Sequence, residues 1–85
     1  MRLYVGNLSF NTTEDSLRSA FEADGRSVRE VTLVIDRETG RPRGFAFVEM
    51  SSKADGVSAM QALDGSSLDG RQIKVSEAKE RAPRS

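Results

Sequence analysis

Apolar and polar residues alternate with a period of two in four stretches of this chain and recur at helical spacing in two others. From Leu3 to Leu8, Leu3 and Val5 face one way and Tyr4 and Gly6 the other, which predicts a first strand. Ser9 to Thr13 is a polar connection that carries Phe10. Thr13 is a good helix N-cap, and Glu14 and Asp15 follow in the first turn, where acids suit the helix dipole. Leu17, Ala20 and Phe21 then form an apolar stripe, and Gly25 ends that helix. Val28 to Ile35 is rich in β-branched residues and predicts a second strand, with Val31, Leu33 and Ile35 on its buried face. Asp36 to Pro42 is a loop punctuated by Gly40 and Pro42. Arg43 to Met50 sets Gly44, Ala46, Val48 and Met50 against Arg43, Phe45, Phe47 and Glu49, a third strand. Ser51 or Ser52 caps a second helix striped by Val57, Met60 and Leu63, with Ala59 beside them, and Asp64-Gly65 stops it. Gly70 precedes a fourth strand, Arg71 to Ser76, with Ile73 and Val75 on one side and Gln72, Lys74 and Ser76 on the other.

The order strand, helix, strand, strand, helix, strand is that of an α+β, ferredoxin-like βαββαβ fold, a four-stranded antiparallel sheet with two helices on one face. Eighty-five residues make one domain, expected over 1–79, with 80–85 as a charged tail. Helices cover only one face of such a sheet. The opposite face of strands 1 and 3 would be polar if it met only water, yet it carries Tyr4, Phe45 and Phe47, three of the five aromatics. Large rings on an open sheet face form an apolar patch of the kind that marks a binding site. A strand 3 flipped by one residue would bury both phenylalanines instead. It would then also bury Arg43 and Glu49, at a high cost, and expose Gly44, Ala46, Val48 and Met50.

Composition narrows the function classes. The chain has no cysteine and no histidine. It therefore lacks a thiolate nucleophile or metal ligand and the side chain best suited to proton transfer near neutral pH. Carboxylates are scattered, without calcium or magnesium ligand spacing, and no P-loop-type glycine run occurs. We expect no catalysis, no metal and no cofactor. No apolar run approaches the ~20 residues that cross a membrane. The net charge is zero, from 13 basic and 13 acidic residues, which does not favour a polyanion partner. Its distribution softens that objection. Arg37, Arg41 and Arg43 cluster in one stretch and Lys79, Arg81 and Arg84 near the C-terminus, while much of the acid falls on the helices. Affinity for a nucleic acid would then be modest and would come largely from stacking.

Two strings sharpen the picture. Arg43-Gly44-Phe45-Ala46-Phe47-Val48-Glu49-Met50 resembles the ribonucleoprotein octamer, with Met50 in place of a final aromatic that should point into the core. Leu3-Tyr4-Val5-Gly6-Asn7-Leu8 looks like its companion hexamer. On strands 1 and 3 of the expected order, the pair resembles the RNA-recognition-motif family from about Met1 to Lys79. The resemblance implies single-stranded RNA binding. By it, Tyr4 and Phe45 are similar to rings that stack on successive bases, Phe47 to a ring that packs on riboses, and Arg43 to a phosphate partner. Ser76 to Lys79 would read base edges. Arg2, Arg43 and Lys74 flank the rings, and Thr32, Val34, Glu49, Gln72 and Lys74 are candidates for tuning base preference. Asn7 either contacts nucleic acid or fixes the following loop. The loop Arg37 to Arg41 either clamps the strand or is merely solvated.

Three positions depart from the family pattern. Asp24 stands where an aromatic or apolar residue is common, the stretch from Gly25 to Val31 is one residue longer than usual, and Gly56 sits in a helix at a cost of about 0.5–1 kcal/mol. Alternatives to RNA are single-stranded DNA, which stacks equally well, and a protein partner on the helical face. With Met1 directly ahead of the first strand, the expectation is a monomeric, stand-alone cytoplasmic protein, nuclear and organellar settings remaining open.

Overall fold

The computed structural model describes residues 1–78. The elements are β1 (Arg2–Gly6), α1 (Glu14–Glu22), a 3-10 turn (Ala23–Gly25), β2 (Val28–Ile35), β3 (Pro42–Met50), α2 (Lys53–Leu63), β4 (Ser67–Leu68), β5 (Arg71–Gln72) and β6 (Lys74–Glu77). The main sheet runs β2-β3-β1-β6 with every pair antiparallel, and β4 and β5 form a separate small hairpin. This is the expected ferredoxin-like arrangement.

The alternation decides which face is packed. Leu3 and Val5 of β1, Ala46, Val48 and Met50 of β3, and Val75 of β6 are buried in one cluster with Leu17 and Phe21 of α1 and Ala59 of α2. Twelve buried apolar residues form this core, and it lies between the helices and one sheet face. Helix α1 begins as its sequence requires: the Thr13 hydroxyl accepts from Ser16 N at 3.1 Å, and Ser16 Oγ accepts from Thr13 N at 3.0 Å, a reciprocal cap. For α2 the cap is Ser52, whose Oγ accepts from Asp55 N at 3.1 Å.

Arg26 is a buried cation that sequence patterning missed. Its guanidinium donates to the carbonyls of Phe21 (3.0 Å) and Ala20 (3.3 Å), so it caps the C-terminal end of α1. Asp24, in the left-handed region at φ 63°, stays exposed and pairs with Arg26 at 3.5 Å. The turn is thus irregular where the sequence departs from the family pattern, and an ion pair stands where an apolar contact is usual.

Three expectations need correction. Ile35 is 46% exposed, because the β2–β3 register slips between Leu33 and Ile35 and breaks the alternation. Val57 does not belong to the α2 core stripe. The inward face runs through Gly56, Ala59, Met60 and Leu63 instead. The fourth strand is split at Ile73, whose N–H donates to Ser66 O (2.9 Å) and whose carbonyl accepts from Gly65 N (2.8 Å). Only Lys74 to Glu77 joins the main sheet, and Arg71-Gln72 pairs with Ser67-Leu68.

Candidate nucleic-acid interface

Register alone assembles the central row of the open face. Thr32 of β2 stands opposite Phe47, Phe47 opposite Tyr4, and Tyr4 opposite Ser76 of β6. Residues directly opposite on neighbouring strands share a face, so this row lies away from the helices. Phe45, two residues from Phe47, joins it. The ring centroids are 5.8 Å apart for Tyr4 and Phe45, 5.9 Å for Tyr4 and Phe47, and 6.1 Å for Phe45 and Phe47. The Tyr4 and Phe45 planes tilt by only 34°, whereas Phe47 meets Phe45 edge-on at 88°. Tyr4 is exposed and both phenylalanines are half-buried, while Ala46, Val48 and Met50 are buried. The flipped register of strand 3 is thereby ruled out.

The charged surroundings are mixed. The Arg2 guanidinium carbon lies 4.4 Å from the centre of the Phe47 ring. Arg2, Glu30, Thr32, Phe47 and Glu49 line a small hollow beside that ring. Lys74 and Ser76 are exposed on β6, opposite Gly6 and Tyr4 respectively. Arg41 is exposed in the β2–β3 loop, where its carbonyl accepts from Asp36 N at 2.8 Å. The expectations for Lys79 and for the Arg43 side chain lie outside the described residues.

Two expected site residues serve the scaffold. Asn7 adopts φ 60° at the end of β1. Its Nδ2 donates to Gln72 O at 2.6 Å and its Oδ1 accepts from Arg71 Nη2 at 2.7 Å, so Asn7 fixes the loops at this end of the sheet. Gln72 lies on β5 rather than on the main sheet, and its Nε2 donates to Gly65 O at 3.0 Å. The break at Ile73 takes Gln72 out of the main sheet, yet it stays exposed and lines one hollow with Tyr4, Lys74 and Ser76. Two residues not singled out by sequence stand beside the rings, Phe10 and Arg71. A lone phenylalanine in a polar connection was a visible signal; for Arg71 there was none. Among the described residues no cluster of three potential metal ligands occurs, and no helix is long and apolar enough to cross a membrane.

A family model described as RNA recognition motif matches residues 3–74. The chain belongs to the RNA-recognition-motif family. It is 54% identical over 84 residues to RbpB from Nostoc sp., an alignment covering 99% of this chain and 81% of that protein. It is 47% identical over 83 residues to the chloroplastic RNA-binding protein CP29B from Arabidopsis thaliana, covering 98% of this chain and 28% of that protein. The crystal structure of the RNA-binding protein PG1 superposes with a TM-score of 0.89 at 40% identity, covering 96% of this chain and 98% of that one.

Proposed function

We propose that this RNA-recognition motif binds single-stranded RNA by stacking bases on the open face of its sheet. The observation that carries the reading is the grouping of Tyr4, Phe45 and Phe47 within 6.1 Å of one another on the face the helices leave bare. Tyr4 and Phe45, tilted only 34° apart, take successive bases. Phe47, edge-on to Phe45 and covered by Arg2, packs against the sugar between them. Each stacked base contributes about 1–3 kcal/mol irrespective of its identity. Arg2, Arg41, Arg43, Lys74 and Lys79 take phosphates, and Ser76 reads a base edge. The family and the RNA-binding relatives support this reading. The chain works by binding and not by catalysis, as a cytoplasmic monomer in post-transcriptional control or RNA chaperoning.

The test is a titration of a labelled, mixed-sequence single-stranded RNA of about ten nucleotides. Wild type is compared with the Phe45→Ala, Phe47→Ala double variant, with folding checked by circular dichroism. We expect micromolar-range binding by wild type and at least a tenfold loss in the folded double variant. Equal binding by the two proteins refutes the platform reading. A parallel titration with DNA of the same sequence separates contacts to the 2′-hydroxyl from stacking alone.

A further inference from the structure

The ring of Phe10 is 71% exposed, the most of any large apolar side chain among the described residues. Burying a phenylalanine stabilises a fold by about 1.5–3 kcal/mol, and this one forgoes most of that. It is not left out by a slack loop. Leu8 and Thr12, on either side of it, are both buried. Thr12 N donates to Ser9 O at 3.1 Å and Asn11 N to Ser9 Oγ at 3.1 Å, closing a tight turn whose tip is Phe10.

That turn is joined to the β4–β5 hairpin. Thr12 Oγ1 donates to Asp69 Oδ2 at 2.9 Å, Asn7 Nδ2 to Gln72 O at 2.6 Å, and Arg71 Nη2 to Asn7 Oδ1 at 2.7 Å. The three bonds hold Phe10 and the Arg71 guanidinium along one hollow, whose other walls include Tyr4, Asn7, Gly44 and Phe45. Gly44, at φ 91°, brings no side chain into it. The hollow is thus continuous with the stacking platform, sharing Tyr4 and Phe45 with it. It adds one further flat ring and one oriented cation.

We propose that this hollow is an additional nucleotide subsite, in which Phe10 takes the face of a base next to the one on Phe45 and Arg71 takes the adjoining phosphate. The inference rests on the platform reading above and extends the strand's path beyond the sheet. A base offers the flat apolar face that Phe10 lacks a partner for, and stacking accepts any base. Arg71 already spends one N–H on Asn7 Oδ1, which fixes its plane while leaving other donors for phosphate oxygens.

The test titrates the same ten-nucleotide RNA with Phe10→Ala, Arg71→Lys, Arg71→Gln and the Phe45→Ala, Phe47→Ala variant. Melting temperatures are measured alongside. Phe10→Ala should lower affinity at least about fivefold while leaving the melting temperature nearly unchanged, since the ring packs on little. Arg71→Gln should weaken binding and flatten the dependence of log K on log salt by about 0.7, and Arg71→Lys should restore most of the slope. Nuclear magnetic resonance signals of the Phe10 ring should shift on adding RNA to wild type. If Phe10→Ala binds as wild type while the platform variant loses affinity, the subsite is refuted and the platform stands. If neither loses affinity, both fall together.

Discussion

The Tyr4 ring lies along the sheet directly over Gly6, so that a Cβ at Gly6 would stand 2.8 Å from Tyr4 Oη and 2.9 Å from Cε2. The glycine of the hexamer therefore sets how the first stacking ring lies. Gly6→Ala should leave the fold intact, because the obstacle is a side chain on the open face, but should lift the ring out of its near-parallel pose beside Phe45. RNA affinity should fall by about 1 kcal/mol, toward that of Tyr4→Ala, at an unchanged melting temperature. Unaltered affinity would show that the ring readjusts without cost.

A second prediction concerns Arg2. Its position over Phe47 contributes about 0.5–1 kcal/mol of cation–π attraction at an exposed site and holds a cation beside the platform. Arg2→Gln should weaken RNA binding a few-fold at low salt and reduce the log–log salt slope by about 0.7, the value for one phosphate contact on a single strand. The difference should shrink as salt rises. Titrations at several ionic strengths decide it: an unchanged slope with a lower melting temperature would assign Arg2 to covering Phe47 alone.

Which parts of this arrangement were legible in the sequence follows from where period-two alternation holds. Leu3, Tyr4 and Val5 on β1 and Phe45 to Met50 on β3 keep it without a break, so both the core face and the ring face could be read directly. Ile35 was misplaced because it follows the register slip after Leu33, and the fourth strand was read as continuous because nothing in its alternation marks that Ile73 pairs with the turn at Gly65 and Ser66. Pro42 and Gly44, at φ 91°, lie across from the first break, and Gly65, at φ 83°, lies in the turn that engages Ile73, but a glycine or proline on one segment does not say which other segment it interrupts. Phe10 and Arg71 are 61 positions apart in the chain, and only the hydrogen bonds joining their loops bring them to one hollow. The fit of Gly56 depends in the same way on a residue remote in sequence.

Gly56 gives a stability test with a defined sign. Taken as a helix residue, it should gain about 0.5–1 kcal/mol on replacement by alanine. In the fold it is buried against Met1, and an added Cβ would meet Met1 Sδ and stand 2.9 Å from Met1 Cβ and Cγ. Met1 has little room to yield, since its amino group donates to Met50 O at 3.1 Å and its carbonyl accepts from Met50 N at 2.7 Å. Overpacking of this kind costs about 1–3 kcal/mol, which outweighs the helix gain. Gly56→Ala should therefore lower the melting temperature by several degrees, at about 4–8 °C per kcal/mol for a domain of this size. A rise would mean that the Met1 side chain swings aside and that helix propensity decides.

The last prediction concerns two carboxylates. Glu30 and Glu49 stand directly opposite each other on β2 and β3, with Arg2 opposite Glu49 from the other side, and all three line the hollow beside Phe47. Like charges in such a cross-strand pair are mutually destabilising by a few tenths of a kcal/mol, and here they also repel an approaching phosphate backbone. Removing one charge with Glu30→Gln should raise the melting temperature slightly and tighten RNA binding a few-fold at low salt, the gain fading as salt rises. Glu49 is nearer the rings along β3 and has a second option, accepting from the amino group of a base. If it does so, Glu49→Gln should tighten binding to uridine-only RNA, which has no amino group to offer. The same substitution should weaken binding to adenosine- or cytidine-rich RNA of the same length. Titrating both variants against both RNAs separates simple repulsion, in which the two glutamates behave alike on every RNA, from base reading by Glu49.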